Sequence, residues 1–125
     1  MNNKRLEQID LSIIGVIIFI FILLHSIYLL VTEKKILLNI KTISNESVIV
    51  QSLINRIVAF FIVLMFFTFA LSNYYDILQS GSKDSINNQR LRLFVSSFAL
   101  LSVTIEVYLT IKEFVSINNQ KNTQN

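Results

Sequence analysis

LSIIGVIIFIFILLHSIYLLV, residues 11–31, contains no Asp, Glu, Lys or Arg and has the length of a transmembrane helix. A helix of about 20 apolar residues crosses the hydrocarbon core of a bilayer. Lys4 and Arg5 precede this run, as in a signal peptide, but the run is longer than the roughly 7–15 residues of a signal core and no small-x-small cleavage site follows it. We therefore expect a retained first span.

Two further apolar segments of similar length follow, at residues 57–75 and 91–111. Across the 125 residues, hydrophobic residues make up 53% and charged residues 15%, whereas a soluble domain has about a quarter charged residues. The remaining segments are short and polar, including a tail at residues 114–125, and leave no room for a separate soluble core. The sequence predicts an all-α, multi-pass membrane protein: one domain over residues 1–125 with three transmembrane helices.

The connection after the first span is the longer of the two and has helical features of its own. Its Ile and Val residues recur at the i, i+3, i+4 spacing of a helix face, and Ser44–Ser47 supply turn and N-cap residue types. These features predict that helix 1, residues 8–43, and helix 2, residues 46–79, extend beyond the bilayer as an antiparallel hairpin over about residues 33–56. Part of the connection also alternates, so a β-hairpin with Asn45–Glu46 at its tip is the competing interpretation.

The second connection is short and contains Gly81, a residue type that commonly ends helices. Asp84 or Ser85 then supplies an N-cap for helix 3, which we expect to run to about residue 117. Helices 2 and 3 are therefore expected to reverse direction around Gly81.

Polar and small residues recur along one side of helix 3. In steps of 100° per residue, one face collects Arg92, Ser96, Ala99, Ser102, Glu106 and Thr110. Small residues let helix backbones approach closely, and a charge within hydrocarbon is costly unless it is partnered. We therefore predict that this face packs inside the bundle, with a helix-packing seam through Ser96, Ala99 and Ser102.

Charged residues stand near one end of each predicted packing face. If helices 1 and 2 reverse around residues 44 and 45, Glu33 and Arg56 lie equally far from the turn. Reversal around Gly81 brings Glu106 to the level of Arg56. We therefore predict an intramembrane polar cluster of Glu33, Arg56 and Glu106, in which the guanidinium forks between two carboxylates.

His25 lies inside the first span and is the only histidine of the chain. Aligning the spans by their centres, instead of by their turns, places Glu106 at the height of His25 and shifts the register by about 10 Å. We interpret His25 as a neutral imidazole bonded to a neighbouring serine or a backbone carbonyl, with a proton relay as the alternative. The charged cluster is likewise interpreted as an orientation and packing device rather than an ion site.

The sequence contains no pattern that supports catalysis. With one His and no Cys, it has no catalytic triad pattern, no metal-ligand spacing and no Gly-rich phosphate loop, so we expect no enzyme, no cofactor and no metal site. The formal net charge of +3 is spread along the chain, which does not favour binding to nucleic acid.

Two functional classes remain. The first is a small non-enzymatic subunit, accessory or immunity-type factor that binds a larger membrane protein, or further copies of itself, through helix–helix contacts. The second is a small oligomeric pore former or carrier, holin-like, in which the polar face of helix 3 meets water. Because Ile, Asn, Lys and Phe exceed Ala, Gly and Pro, we expect the cell membrane of a low-G+C bacterium, with an organelle membrane as the alternative.

Overall fold

The computed structural model describes the backbone of residues 2–40 and 44–124 and the side chains of residues 3–40 and 44–120. The chain forms three α-helices: α1, Asn2–Leu37; α2, Asn45–Ser80; and α3, Lys83–Gln124.

All three helices are long and apolar enough to cross a membrane, with mean hydropathies of 2.8, 2.2 and 1.8 over their most apolar segments. α1 and α2 have 36 residues each, about 54 Å at 1.5 Å per residue, so both exceed a hydrocarbon core of about 30 Å. The predicted fold class is confirmed. No strand occurs in the described ranges, so the β-hairpin interpretation is wrong there; residues 41–43 lie outside them.

α2 is the central helix of the fold. It packs against α1 on one side and more extensively against α3 on the other, and consecutive helices run antiparallel. Among the described residues, no Cα atom of α1 lies within 8 Å of a Cα atom of α3. The outer two helices are therefore held in place through α2 rather than through each other.

The face of α3 that packs against α2 repeats about every 3.5 residues. Between residues 86 and 117 its less exposed positions are Ile86, Gln89, Leu93, Ser96, Leu100, Val103, Val107, Thr110, Phe114 and Ile117. Alternating steps of three and four residues are the repeat of left-handed supercoiled helices. α3 therefore lies along α2 over most of its length.

This packing face corrects the predicted seam. It passes through Ser96 but not through Ala99 or Ser102, both of which are exposed. Aliphatic positions such as Leu100 and Val103 take their place because they offer more contact area to α2. A serine or threonine hydroxyl does not require a partner on another helix, because it can donate to a carbonyl of its own helix. Thr104 Oγ1 does so to the Leu100 carbonyl at 2.7 Å.

α1 ends earlier than the predicted residue 43 because Asn39 adopts a left-handed conformation, with φ of 61°. The backbone N–H of Ile40 donates to the Lys35 carbonyl at 2.9 Å, and that of Asn39 donates to the Ile36 carbonyl at 3.1 Å. This pair of hydrogen bonds is a Schellman motif, which satisfies carbonyls left open at a helix end. The described part of the connection is therefore a helix cap, and the chain leaves the helix at Leu37.

The other helix ends agree with the sequence in part. Ser44 is the N-cap of α2 and accepts from the Ser47 backbone N–H at 3.1 Å, while Gly81 ends α2 as predicted. Ser82, rather than Asp84 or Ser85, caps α3, because its hydroxyl accepts from the Ser85 N–H at 3.3 Å. α3 then continues to Gln124, through the predicted polar tail.

The distribution of apolar side chains is the reverse of that in a soluble protein. The described residues include only four buried large or small apolar side chains, Leu29, Val48, Ala59 and Ile62. Large apolar side chains cover the outside of all three helices, for example Phe21 at 66% exposed and Val95 at 65%. Such surfaces are stable in hydrocarbon and not in water, which is the arrangement of a multi-pass membrane protein.

Candidate functional site

A layer of polar side chains connects the three helices at one level. Asn55 and Arg56 are neighbours in α2; Asn55 contacts His25 of α1, and Arg56 contacts Glu106 of α3. We call the following residues the polar layer: His25, Ser26, Gln51, Asn55, Arg56, Glu106 and Thr110. By position in the predicted spans, Glu106 lies about 8 Å inside the end of the third.

His25 joins α1 to α2 through both ring nitrogens. Nδ1 lies 2.8 Å from Asn55 Oδ1, and Nε2 lies 3.0 Å from Gln51 Oε1. Asn55 Nδ2 donates to Ser26 Oγ at 3.4 Å, and Gln51 Nε2 donates to Ser47 Oγ at 3.1 Å. The partners of His25 are thus two amide side chains of α2, in place of the serine or backbone carbonyl that we predicted.

The hydrogen bonds of Ser26 determine which atom of the Asn55 amide faces His25, and therefore whether Nδ1 of the ring carries a hydrogen. Ser26 donates its hydroxyl to the Ile22 carbonyl at 2.8 Å, so its oxygen accepts from Asn55 Nδ2. Asn55 Oδ1 then faces His25, and Nδ1 of the ring donates to it. Nε2 either donates to Gln51 Oε1 as imidazolium or accepts from the amide of Gln51 after that amide turns over. The hydrogen bond of Nδ1 therefore joins α1 to α2 whichever role Nε2 takes.

Arg56 joins α2 to α3 through two groups. Its Nε lies 3.3 Å from Glu106 Oε2, and its Nη1 donates to Thr110 Oγ1 at 2.6 Å. Thr110 is 1% exposed and donates its own hydrogen to the Glu106 carbonyl at 2.8 Å, which turns its oxygen toward the guanidinium. The side chains of Arg56 and Glu106 remain 41% and 51% exposed, so the ion pair opens toward the outside of the helix pair.

Glu33 lies apart from the Arg56–Glu106 pair, and the structure brings together two of the three residues of the predicted cluster. Glu33 is exposed and forms no ion pair with a described residue. The contacts of His25 with Asn55 and of Lys4 with Asp76 place Glu33 near the level of Ser47, about 13 Å along the helix from Arg56.

The reason for this displacement is the position of the first turn. α1 ends at Leu37 and α2 begins at Asn45, and the contacts of His25 with Asn55 and of Lys4 with Asp76 place the midpoint of the hairpin near residue 40, whereas the prediction assumed reversal around residues 44 and 45. Moving the midpoint by four to five residues moves the residue of α2 that is level with Glu33 by about nine. His25, rather than Glu33, is consequently level with Arg56, and Glu106 is at the height of His25, as the alternative register also placed it.

A cavity of about 510 Å³ opens beside the polar layer, between α1 and α2. Glu33, Arg56 and Glu113 line it together with Ser52 and Asn55. Within the described side chains, no group of three or more His, Cys, Asp or Glu could hold a metal ion. The carboxylates of Glu33 and Glu113 form no ion pair with a described residue, and the guanidinium of Arg56 is already bonded to Glu106.

Sequence reasoning missed Gln51 and Asn55, which supply the α2 side of the His25 contact. Their i, i+4 spacing on a helix is a detectable signal, since residues four apart share a face. The signal was hidden because residues 51–55 were assigned to an extramembrane hairpin, where polar residues are ordinary.

Comparisons with protein-family models, with curated proteins and with solved structures found no match.

Proposed function

We propose that this chain is a small non-enzymatic membrane subunit or accessory factor that acts through helix–helix contacts. The observation that carries the proposal is the internal pairing of the polar layer. His25, Asn55, Arg56 and Thr110 each have a partner within the chain, so the polar layer itself leaves little hydrophilic surface for a reaction or a pathway. Immunity-type and regulatory membrane proteins belong to the same class.

The outer surfaces of α1 and α3 support this proposal. They carry exposed aliphatic and aromatic side chains, including a T-shaped pair of Phe94 and Phe98 whose ring centroids are 4.7 Å apart. Because the outer helices meet only α2, each has a free face along its length. A free apolar helix face in a bilayer is suited to a larger membrane protein or to a second copy of this chain.

One observation favours a second candidate, a small oligomeric pore former or carrier. The Glu106 side chain is 51% exposed at a depth where lipid is a poor solvent for a carboxylate. If several copies assembled with this side of α3 inward, Glu106 would meet water. This candidate is weaker because Ser97 and Thr104, also exposed on α3, donate their hydroxyl hydrogens to their own helix.

Two measurements on the full chain separate these candidates. The tagged chain, extracted from its native membrane in mild detergent, is expected to purify with a larger membrane protein in fixed ratio or as a defined number of copies. Vesicles containing the purified chain are expected to hold a potassium diffusion potential. Recovery of a lone monomer would count against the subunit proposal.

The pore candidate makes the opposite prediction for the vesicles. The vesicles should lose the potential. Glu106→Gln should change the rate at which the potential is lost, whereas Glu113→Gln should leave that rate unchanged. Glu113 is a suitable control because it is also an exposed carboxylate of α3, seven residues further along, and has no ion pair with a described residue.

A further inference from the structure

The end of the molecule opposite the polar layer has two apolar grooves that share one wall. One groove, of about 430 Å³, lies between α1 and α2, and the other, of about 460 Å³, lies between α2 and α3. Phe66 and Asn73 of α2 line both grooves. Since residues seven apart share a helix face, both grooves open on the same side of α2. Together they form a trough, with α2 as its floor and α1 and α3 as its walls. The proposed function gives this trough no role.

The rim of this trough carries hydrogen-bond donors without partners. Arg5, Gln8, Asn73, Gln89 and Arg92 line the two grooves, and none of their side chains makes a hydrogen bond or ion pair with a described residue. Gln8 is 9% exposed as a residue, but no buried side-chain nitrogen or oxygen of the described residues lacks a partner, so these unpartnered groups face the open trough. The contrast with the polar layer at the other end, where the amides and the arginine are bonded, indicates that something outside the chain completes these groups.

The arrangement of charge above apolar surface restricts what the occupant is. Arg5 lines one groove and Arg92 lines the other, while Val16, Phe66 and Phe69 supply apolar lining. From Arg5 to Ile17 the first groove follows α1 for about 18 Å, slightly more than half the thickness of a hydrocarbon core of about 30 Å. The trough is therefore about as deep as one lipid leaflet.

We propose that the trough is a binding site for one anionic glycerophospholipid of the adjacent leaflet. The phosphodiester accepts from the guanidinium groups of Arg5 and Arg92, and the glycerol ester carbonyls accept from the amides that line the same grooves. The acyl chains lie along the two grooves. Basic pockets between transmembrane helices are known to hold anionic head groups in this way.

The test uses the purified full chain in detergent, titrated with phosphatidylglycerol or phosphatidylcholine and observed by native mass spectrometry. One phosphatidylglycerol per chain is expected, held more tightly than phosphatidylcholine. Arg5→Gln and Arg92→Gln should each weaken phosphatidylglycerol binding about fivefold, since one basic residue near anionic lipid contributes about that factor. Lysine at either position should restore most of the binding.

Arg90 provides the matched control. It is exposed and lies two residues from Arg92, hence on a different side of α3, and it lines neither groove. Arg90→Gln should leave phosphatidylglycerol binding unchanged within twofold. Equal losses in Arg90→Gln and Arg92→Gln would overturn the proposal, because they would show attraction to net charge only.

A second pair of variants tests the grooves rather than the charge. Val16→Trp places a ring in the first groove and should displace lipid, whereas Ile18→Trp, at an exposed position of α1 outside the groove, should not. Circular dichroism verifies that each variant keeps its helical content. Equal binding of both lipids, or a second copy of the chain seated on this face with lipid absent, would also overturn the proposal.

Discussion

Asn55 and Arg56 are adjacent in α2 yet hold opposite neighbours. Asn55 reaches His25 of α1 at 2.8 Å, while Arg56 reaches Glu106 of α3 at 3.3 Å. Successive residues of a helix point about 100° apart, so one turn of a central helix serves both flanking helices. Because the described Cα atoms of α1 and α3 stay more than 8 Å apart, this turn of α2 helps to fix the height of each outer helix.

The ion pair of Arg56 and Glu106 is expected to contribute modestly to stability. Both side chains are about half exposed, so Glu106→Gln should lower the free energy of unfolding in detergent by about 1 kcal/mol, the upper end for exposed ion pairs. The exchange Arg56→Glu with Glu106→Arg should recover part of this loss. Glu113→Gln, the matched control, should have no measurable effect; an equal loss would assign the effect to net charge.

His25 is expected to carry a hydrogen on Nδ1, because Asn55 Oδ1 faces that nitrogen. Nitrogen-15 NMR of the labelled ring reports this directly. Ser26→Ala removes the acceptor that orients the Asn55 amide, so it should release the amide and let the ring change tautomer. Thr32→Ser, at another hydroxyl of α1 that donates to its own helix, should leave the spectrum unchanged. A neutral ring with hydrogen only on Nε2 in the unsubstituted chain would contradict this assignment.

The two hairpins show how far register can be predicted from the sequence. Reversal around Gly81 correctly placed Glu106 beside Arg56 because the second connection is short and leaves little freedom. The first connection is longer, and its turn depends on the left-handed conformation of Asn39, which was not recognised as a helix end. Asparagine is the usual substitute for glycine at that position, so the signal was present.

The packing face of α3 could not be obtained from polarity alone. Polar and small residues marked Ser96 and Thr110 correctly, but Ala99 and Ser102 face outward. In lipid, contact area and shape select the interface, and short hydroxyl side chains donate to their own helix wherever they point. The 3.5-residue spacing of the aliphatic positions, starting at Ile86, was the stronger indicator.

Replacing Asn39 by glycine is expected to leave the stability of the chain nearly unchanged, whereas replacing it by alanine is expected to lower it. At φ of 61° the Cβ of any L residue crowds the following carbonyl; the short polar side chain of asparagine offsets this cost by local hydrogen bonding and alanine does not, so Asn39→Ala should destabilise the chain by about 1 kcal/mol. Asn39→Gly relieves that crowding and should be close to neutral. Unfolding in detergent measures both. The matched control is Leu38→Ala, at the exposed neighbouring residue outside the left-handed region, which should have a small effect; equal losses in the two alanine variants would show that backbone conformation is not the cause.

Gly15 of α1 packs directly against Met65 and Phe66 of α2, so larger residues at this position test how tightly the two helices pack. A Cβ added there would lie 3.0 Å from Met65 Cε and 3.4 Å from Phe66 Cζ. Met65 is flexible at that end, and alanine favours helix over glycine by about 1 kcal/mol, so Gly15→Ala should be tolerated. Gly15→Leu overfills the contact and should cost about 1–3 kcal/mol in detergent unfolding.

The compensating change separates crowding from a general effect of leucine. Met65→Ala opens space opposite residue 15, so combining it with Gly15→Leu should recover stability relative to Gly15→Leu alone. A cross-link by a short bifunctional thiol reagent between Lys4→Cys and Asp76→Cys, at positions whose native side-chain tips lie 2.9 Å apart, reports whether the end of α1 stays beside α2. It should form slowly in Gly15→Leu and readily in the double variant. If Met65→Ala gave no recovery, close packing at Gly15 would not be what holds α1 against α2, and the polar contacts of His25 would have to hold the two helices together without it.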